Sequence, residues 1–126
     1  MANKKILVVD DNEVTGKLLS SLLEQNGYEV KVVTEGMLTI SQGRQFQPGL
    51  VLMDIVLPDL EGPEVVKLMQ KDDKLSAVPV VFLSGTLEVG KSKVMNVEEK
   101  KYTALSKSAT ASDLLKAIKQ NLTQKK

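Results

Sequence analysis

The segment Ile6-Leu7-Val8-Val9-Asp10-Asp11 is the clearest guide to the fold. Four apolar residues in a row, followed at once by acids, are typical of a strand that is buried on both faces of a sheet. The same pattern recurs in Leu50-Val51-Leu52-Met53-Asp54 and in Val80-Val81-Phe82-Leu83-Ser84. Each of these strands ends next to a polar residue, at the edge where a parallel sheet places its ligand site.

The rest of the chain alternates between strand and helix patterns. Gly27 stands where one helix stops, and Pro63 stands where another begins. We predict strands at residues 6–9, 28–33, 50–53, 80–83 and 102–105, and helices at about 14–23, 37–46, 63–69, 90–100 and 110–122. Five strand–helix units predict an α/β fold, namely a doubly wound, five-stranded parallel sheet with helices on both faces.

Length and composition favour one globular domain. The chain has 126 residues, of which 42% are hydrophobic and 26% are charged. We therefore expect a single domain over residues 1–126, with a core at about 4–122 and a short C-terminal tail. No apolar run approaches the roughly 20 residues of a membrane helix, and the N-terminus lacks the features of a signal peptide. We expect a cytoplasmic protein with no membrane association.

Histidine and cysteine are both absent from the sequence. Their absence excludes disulfides, thiol catalysis, Ser-His-Asp triads and metal sites built on thiolate or imidazole. Chemistry in this chain must therefore use carboxylates, lysines, hydroxyls and a metal that prefers oxygen ligands.

Five polar side chains follow the predicted strands at one edge of the sheet: Asp10, Asp11, Asp54, Ser84 and Lys107. Three converging carboxylates would repel one another, and a divalent cation such as Mg²⁺ would relieve that repulsion. A carboxylate can also accept a phosphoryl group, whose oxygens lysine and serine can bind. Taken singly, each residue has a simpler interpretation as a helix cap, a turn residue or a solvated charge. Their combination carries the prediction.

These segments resemble the receiver domains of bacterial two-component response regulators. The resemblance rests on residues 6–12, 50–58, 80–85 and 105–107, together with Gly62, and extends over nearly the whole chain. It implies a flavodoxin-like (βα)5 fold with strand order 2-1-3-4-5. It also implies a protein that is not a conventional enzyme, because it catalyses only its own phosphorylation and dephosphorylation. With the length of the chain, we expect a stand-alone receiver that acts through protein contacts, as chemotaxis-type regulators or phosphorelay intermediates do.

The resemblance further implies a role for each residue of the site. Asp54 would be the phosphoacceptor, Ser84 would bond the phosphoryl group, and Lys107 would pair with it. The ligands of Mg²⁺ would be Asp10, Asp11, Asp54 and the backbone carbonyl of Val56. The donor would be a phosphohistidine on a separate sensor histidine kinase or phosphotransfer protein, in agreement with the absence of histidine here.

Three departures from the family pattern concern the conformational switch. Ser108 follows Lys107 where the family has proline, often after a cis bond. A cis bond before serine costs about 2.5–4 kcal/mol, so either that strain is kept or the bond is trans and Lys107 shifts. Ala104 stands at the aromatic switch position, and Tyr102, on the same face of the strand, is a candidate substitute. Ser84 and Lys107 also lie one residue further apart than usual, which indicates an irregular fourth helix or loop. Ala104 and Ser108 motivate an alternative function, a receiver-like protein-binding module that does not switch.

The segment Gly85-Thr86-Leu87-Glu88-Val89-Gly90-Lys91-Ser92 matches the phosphate-loop pattern GxxxxGK[ST]. That loop binds phosphate only between a strand and a helix. Glu88 would place a negative charge in a cradle for anions, and the motif follows the strand that ends at Asp54 instead of preceding it. Nucleotide binding is therefore a remote alternative.

The uneven charge distribution fits a solvated basic surface or, alternatively, a docking face for an acidic partner. Residues 1–90 carry 8 basic and 13 acidic side chains, whereas residues 91–126 carry 9 lysines and 3 acids. We expect the downstream target to bind a face formed by the fourth helix, fifth strand and fifth helix, near Lys91, Lys93, Lys100 and Lys101. No nucleic-acid partner is expected, because aromatic residues are scarce, and the chain would be a monomer or weak dimer.

Overall fold

The computed structural model describes residues 4–88 and 91–123. Its strands are β1 (Lys5–Val9), β2 (Glu29–Val33), β3 (Leu50–Asp54), β4 (Val80–Ser84), β5 (Ser92–Val97) and β6 (Lys100–Ser106). Its helices are α1 (Glu13–Gln25), α2 (Thr39–Phe46), α3 (Gly62–Gln70) and α4 (Ala111–Thr123), with a short 3₁₀ helix at Gly36–Leu38. The end of the predicted C-terminal tail, at 124–126, and Val89 and Gly90 of the phosphate-loop motif lie outside the described residues.

The sheet has six strands in the order β2-β1-β3-β4-β6-β5. Five of them are parallel, and β5 pairs antiparallel with β6 at the edge. The predicted α/β class and the order of the parallel strands are confirmed. The predicted five-stranded (βα)5 plan is wrong in one unit, because a sixth strand replaces the fourth helix.

The helix predicted at residues 90–100 is not formed by the described residues 91–100, which belong instead to a β-hairpin and the residue before it. Its two strands are paired from Ser92 opposite Leu105 to Val97 opposite Lys100. The connection is only two residues long, and Glu98 within it adopts a φ of 53°. Turns of this kind usually carry glycine or asparagine at left-handed positions, so the sequence lacked the ordinary hairpin signal.

The side chain of Gln70 links α3 to the hairpin. The Gln70 side-chain amide donates to the backbone carbonyl of Val97 at 3.2 Å and to the hydroxyl of Tyr102 at 2.7 Å. The Tyr102 ring packs edge-on against Phe82, with 5.7 Å between ring centroids. Tyr102 and the fully buried Ala104 contribute to the same apolar cluster, as predicted for residues two apart on a strand.

The predicted partner-binding face must be corrected accordingly. The described residues contain no helix between β4 and β6, so that face cannot include a fourth helix of the expected kind. Its exposed lysines belong to the hairpin or directly precede it: Lys91, Lys93, Lys100 and Lys101.

An apolar cluster covers each face of the sheet. Residues of α3 such as Val65 and Met69 pack on one face, and residues of α1 and α4 such as Leu23 and Ile118 pack on the other. Every residue of β3 and β4 is buried, as predicted for strands covered on both sides. The helices in the described part of the chain lack the length and apolar character that a membrane crossing demands.

Candidate functional site

Four parallel strands end side by side and bring the predicted site residues together. Asp54 is the last residue of β3 and Ser84 is the last residue of β4, while Asp10 directly follows β1 and Lys107 directly follows β6. Asp10, Asp54 and Ser84 are buried, whereas Asp11 is exposed. The sheet therefore gathers these side chains because each apolar strand ends at the same edge.

The three aspartates form a compact acidic cluster. Asp10, Asp11 and Asp54 each offer a carboxylate oxygen, and these oxygens lie within 4.8 Å of one another. The Nζ of Lys107 lies 2.9 Å from Oδ2 of Asp54 and 3.2 Å from Oδ2 of Asp10. Among the described residues, the buried Oδ2 of Asp10 accepts no hydrogen bond of good geometry. Its contact with the Lys107 ammonium is therefore an ion pair, and a buried carboxylate oxygen without a well-formed hydrogen bond is suited to bind a further cation.

Burial and charge act in opposite directions on the two central groups. Burial raises the pKa of Asp54 above its ordinary value, and the Lys107 ammonium offsets only part of that rise. Burial lowers the pKa of Lys107, but the carboxylates of Asp54 and Asp10 outweigh this effect and raise it above its ordinary value. The site thus keeps a charged lysine beside a desolvated carboxyl group, an environment typical of functional sites.

The segments after β4 and β6 fix Ser84 and Lys107 in place. The hydroxyl oxygens of Ser84 and Thr86 lie 3.0 Å apart, and the Thr86 N–H donates to the Ser84 hydroxyl at 3.2 Å. The Lys107 N–H donates to the Ser84 carbonyl at 2.8 Å. No cis peptide bond occurs in the described residues, so the Lys107–Ser108 bond is trans. Lys107 nevertheless reaches Asp54, and the missing proline does not remove the lysine from the site.

The loop after β3 stays close to Asp54. The Val56 N–H donates to Oδ1 of Asp54 at 3.3 Å, and the Gly62 N–H donates to the carbonyl of Ile55 at 2.7 Å. A Cβ on residue 62 would collide with the carbonyl oxygen of Asp54. Only glycine permits this close approach, and the loop thereby keeps the exposed Val56 beside the acidic cluster.

A depression of about 430 Å³ opens over Asp54. Its lining includes the predicted residues Asp11, Asp54, Val56, Ser84 and Lys107, and three that sequence reasoning missed, Thr86, Lys93 and Met95. The position of Thr86, two residues after a serine, was an available signal for a local hydroxyl contact. Lys93 and Met95 lie on β5, so the erroneous helix prediction concealed them.

The phosphate-loop interpretation of residues 85–92 is wrong. Ser92 begins β5, and no helix starts in the part of this segment that the structure describes. Without a helix N-terminus the segment lacks the element that binds phosphate in such loops.

Comparison with known families matches residues 6–119 to the response regulator receiver domain. The chain belongs to this family. Receiver domains are signalling domains of two-component systems and not conventional enzymes, and they work with histidine kinases or phosphotransfer proteins. Phosphorylation on aspartate and Mg²⁺ binding in an acidic pocket are properties of the family, and this chain has a cluster of three aspartates at the matching edge of its sheet.

Individual relatives support the same assignment. The polar-differentiation response regulator DivK of Brucella anthropi is 40% identical over 81 residues, which are 64% of this chain and 66% of that protein. The chain thus spans just under two thirds of the length of this curated relative. A CheY-like receiver domain protein from Methanospirillum hungatei is 25% identical with a TM-score of 0.80, covering 98% of this chain and 97% of that one. The N-terminal domain of a response regulator/sensory box/GGDEF protein from Carboxydothermus hydrogenoformans is 29% identical with a TM-score of 0.75, covering 96% and 95%.

Proposed function

We propose that Asp54 accepts a phosphoryl group from a phosphohistidine on a histidine kinase or phosphotransfer protein. The modified receiver domain then signals through an altered protein-binding surface. The observation that carries the proposal is the 2.9 Å contact between the Asp54 carboxylate and Lys107 beneath an open depression. A positioned carboxylate beside a cation can attack phosphorus while the cation balances the incoming negative charge.

The acidic cluster fits a magnesium ion as its cofactor. Its three carboxylates supply hard oxygen donors within 4.8 Å of one another, and the buried Oδ2 of Asp10 has the Lys107 ammonium at 3.2 Å as its ion-pair partner. The proposed protein ligands are Asp10, Asp11, Asp54 and the backbone carbonyl of Val56. When bound, Mg²⁺ supplies positive charge that offsets the phosphoryl oxygens.

Transfer requires positioning more than further covalent chemistry by the protein. The bond between donor and phosphorus breaks, its electron pair leaves with the donor, and one oxygen of Asp54 forms the new bond to phosphorus. Lys107 donates hydrogen bonds to the phosphoryl oxygens. Ser84 turns its hydroxyl from Thr86 toward the same oxygens, which links the modification to the loop after β4.

Incubation with acetyl phosphate and magnesium tests this proposal by intact-protein mass spectrometry. Wild type should gain one acid-stable, base-labile phosphoryl group, and Asp54→Asn should gain none. Asp73→Asn changes an exposed aspartate away from the depression and should be labelled like wild type. Absence of labelling in wild type, or labelling of Asp54→Asn, would contradict the proposal.

We assign the downstream partner to the surface formed by the β5–β6 hairpin and α4. The exposed lysines of the hairpin suit an acidic partner surface. Four expectations stay predictions from the sequence. They are the single-domain organisation over residues 1–126, the cytoplasmic location, the absence of a nucleic-acid partner and the monomeric or weakly dimeric state.

The hydrogen bonds of Gln70 favour a second candidate function, a constitutive binding module. They tie the hairpin to α3 at Val97 and Tyr102 and thereby oppose movement. In such a module, phosphorylation of Asp54 would leave the amide spectra of β5 and β6 unchanged. Changes confined to the loops around Asp54 would favour this candidate over a switching receiver.

A further inference from the structure

Strands β5 and β6 form an edge of the sheet where a fourth helix was expected, here called the rebuilt edge. This edge contributes two side chains to the depression over Asp54. Lys93 and Met95 of β5 line it together with Ser84 and Lys107. Lys93 pairs with Ala104 of β6, and Ala104 pairs with Phe82 of β4. Residues paired across neighbouring strands point to the same face of the sheet. Lys93 therefore shares a face with Phe82 and with Ser84, two residues further along β4.

A small neighbour gives Lys93 access to this position. Ala104 is fully buried and ends at its methyl group. A long lysine side chain on β5 can therefore pass over residue 104 toward the carboxyl end of β4. An aromatic side chain at residue 104 would occupy that space.

The two lysines of the depression differ in their partners. Lys107 contacts the carboxylates of Asp54 and Asp10. Among the described residues, the exposed side chain of Lys93 takes part in no ion pair or hydrogen bond. A phosphoryl group on Asp54 would bring additional oxygens that need hydrogen-bond donors. The ammonium group of Lys93 can donate charge-assisted hydrogen bonds to them.

We propose that Lys93 is a second phosphoryl-binding residue, through which the β5–β6 hairpin contacts phosphorylated Asp54 directly. This inference rests on the proposed function. The transfer itself is unchanged: the donor–phosphorus bond breaks, its electron pair leaves with the donor, and an Asp54 oxygen forms the new bond. Lys93 only donates hydrogen bonds to the phosphoryl oxygens and loses no proton. The hairpin thus gains a contact that exists only in the phosphorylated state, which is what a population shift requires.

A lysine on an edge strand can also serve only to prevent edge-to-edge pairing of sheets. The test must therefore separate Lys93 from other hairpin lysines. Lys101 is a matched control, because it is exposed on β6, pairs with Asn96 and does not line the depression.

Titration with beryllofluoride at saturating magnesium, followed by amide NMR spectra, measures affinity for a phosphoryl mimic. Lys93→Gln should weaken beryllofluoride binding about three- to tenfold, as expected for loss of a solvent-accessible charge-assisted contact. Lys93→Arg should restore most of the affinity, and Lys101→Gln should match wild type. Titration with magnesium alone should give the same affinity in all four proteins.

The outcomes distinguish this inference from the proposed function. If wild type binds no beryllofluoride, the proposed function fails and this inference fails with it. If wild type binds and Lys93→Gln binds equally well, only the role of Lys93 is overturned. Equal weakening by Lys93→Gln and Lys101→Gln would also overturn it, because the effect would then be general electrostatics. Failure of Lys93→Arg to recover affinity would point to packing instead of charge and would overturn it as well.

Discussion

The chain up to Ser84, here called the regular region, folds as its sequence predicts. The segment between Ser84 and Lys107 does not. In the first region each of the four predicted strands is found as a parallel strand of the sheet. In the second, an antiparallel hairpin stands where a helix is expected, and only β6 returns to the parallel plan. The comparison teaches that the ends of β1 and β3 can hold the acidic cluster together even when a hairpin replaces a helix at the neighbouring edge of the sheet.

Replacing Lys107 with alanine should have the largest effect, because this residue joins the rebuilt edge to the pocket. Its ammonium contacts two buried carboxylates and would bind the phosphoryl oxygens. We expect phosphorylation by acetyl phosphate to slow about 100-fold in Lys107→Ala. Lys100→Ala removes an exposed lysine of β6 and should stay within about twofold of wild type. Similar slowing in both variants would indicate a general charge effect and argue against the special role of Lys107.

Adding a methyl group at Gly62 should destabilise the regular region, because this glycine packs against the backbone of Asp54. Its Cβ would meet the Asp54 carbonyl, so we expect Gly62→Ala to lower the free energy of unfolding by about 2 kcal/mol. At Gly85 the nearest atom to a new Cβ is Cδ of Lys107 at 3.7 Å, an ordinary contact. Gly85→Ala should therefore cost less than about 0.5 kcal/mol in urea unfolding. Equal losses would mean that close approach to Asp54 does not explain the glycine.

Two valines of β5 test whether the rebuilt edge is stabilised by the side chains that face the core. Val97 is 2% exposed, whereas Val94 is 63% exposed. Val97→Ala should lower the free energy of unfolding by about 2 kcal/mol, since it removes two buried methyl groups and leaves a cavity. Val94→Ala should change it by less than about 0.5 kcal/mol. The reverse order, measured by urea unfolding, would show that the hairpin does not pack as described.

The smallest effect concerns Asp59, which fastens the loop of the regular region to the 3₁₀ helix. Its carboxylate accepts hydrogen bonds from the N–H groups of Met37 at 2.8 Å and Gly36 at 2.9 Å. These bonds, chiefly that from Met37, lower the pKa of Asp59. A carboxyl group with a lowered folded-state pKa adds stability that is present above its ordinary pKa and is lost as pH falls through the folded value.

Wild type should therefore be slightly more stable than Asp59→Asn at neutral pH. The difference should shrink as pH falls below the ordinary carboxyl range, about pH 4. Urea unfolding at a series of pH values measures it, with Asp73→Asn as a control for the loss of one acidic charge. A difference that grows on acidification would contradict the assigned hydrogen bonds.

The strands and their polar ends were predictable from continuous apolar runs such as residues 6–9 and 50–53. The side chains of such a run are all removed from water only when both faces of the sheet are covered. The hairpin was not predictable, since its turn places Glu98 in a left-handed conformation that glutamate rarely adopts. The pairing of Lys93 with Ala104 depends on that turn, so the part of the site on β5 was hidden as well. The sequence left the Lys107–Ser108 bond open between cis and trans, and only the folded structure shows the trans bond and the contact of Lys107 with Asp54.

The most direct test of the coupling between pocket and edge is a pair of amide NMR spectra of the wild-type chain with magnesium, before and after beryllofluoride is added. We predict shifts around Asp54 and Ser84 together with shifts along β5, greatest near Lys93. No change around Asp54 would contradict the phosphoacceptor assignment, and changes at Asp54 without any along β5 would contradict the coupling to the rebuilt edge.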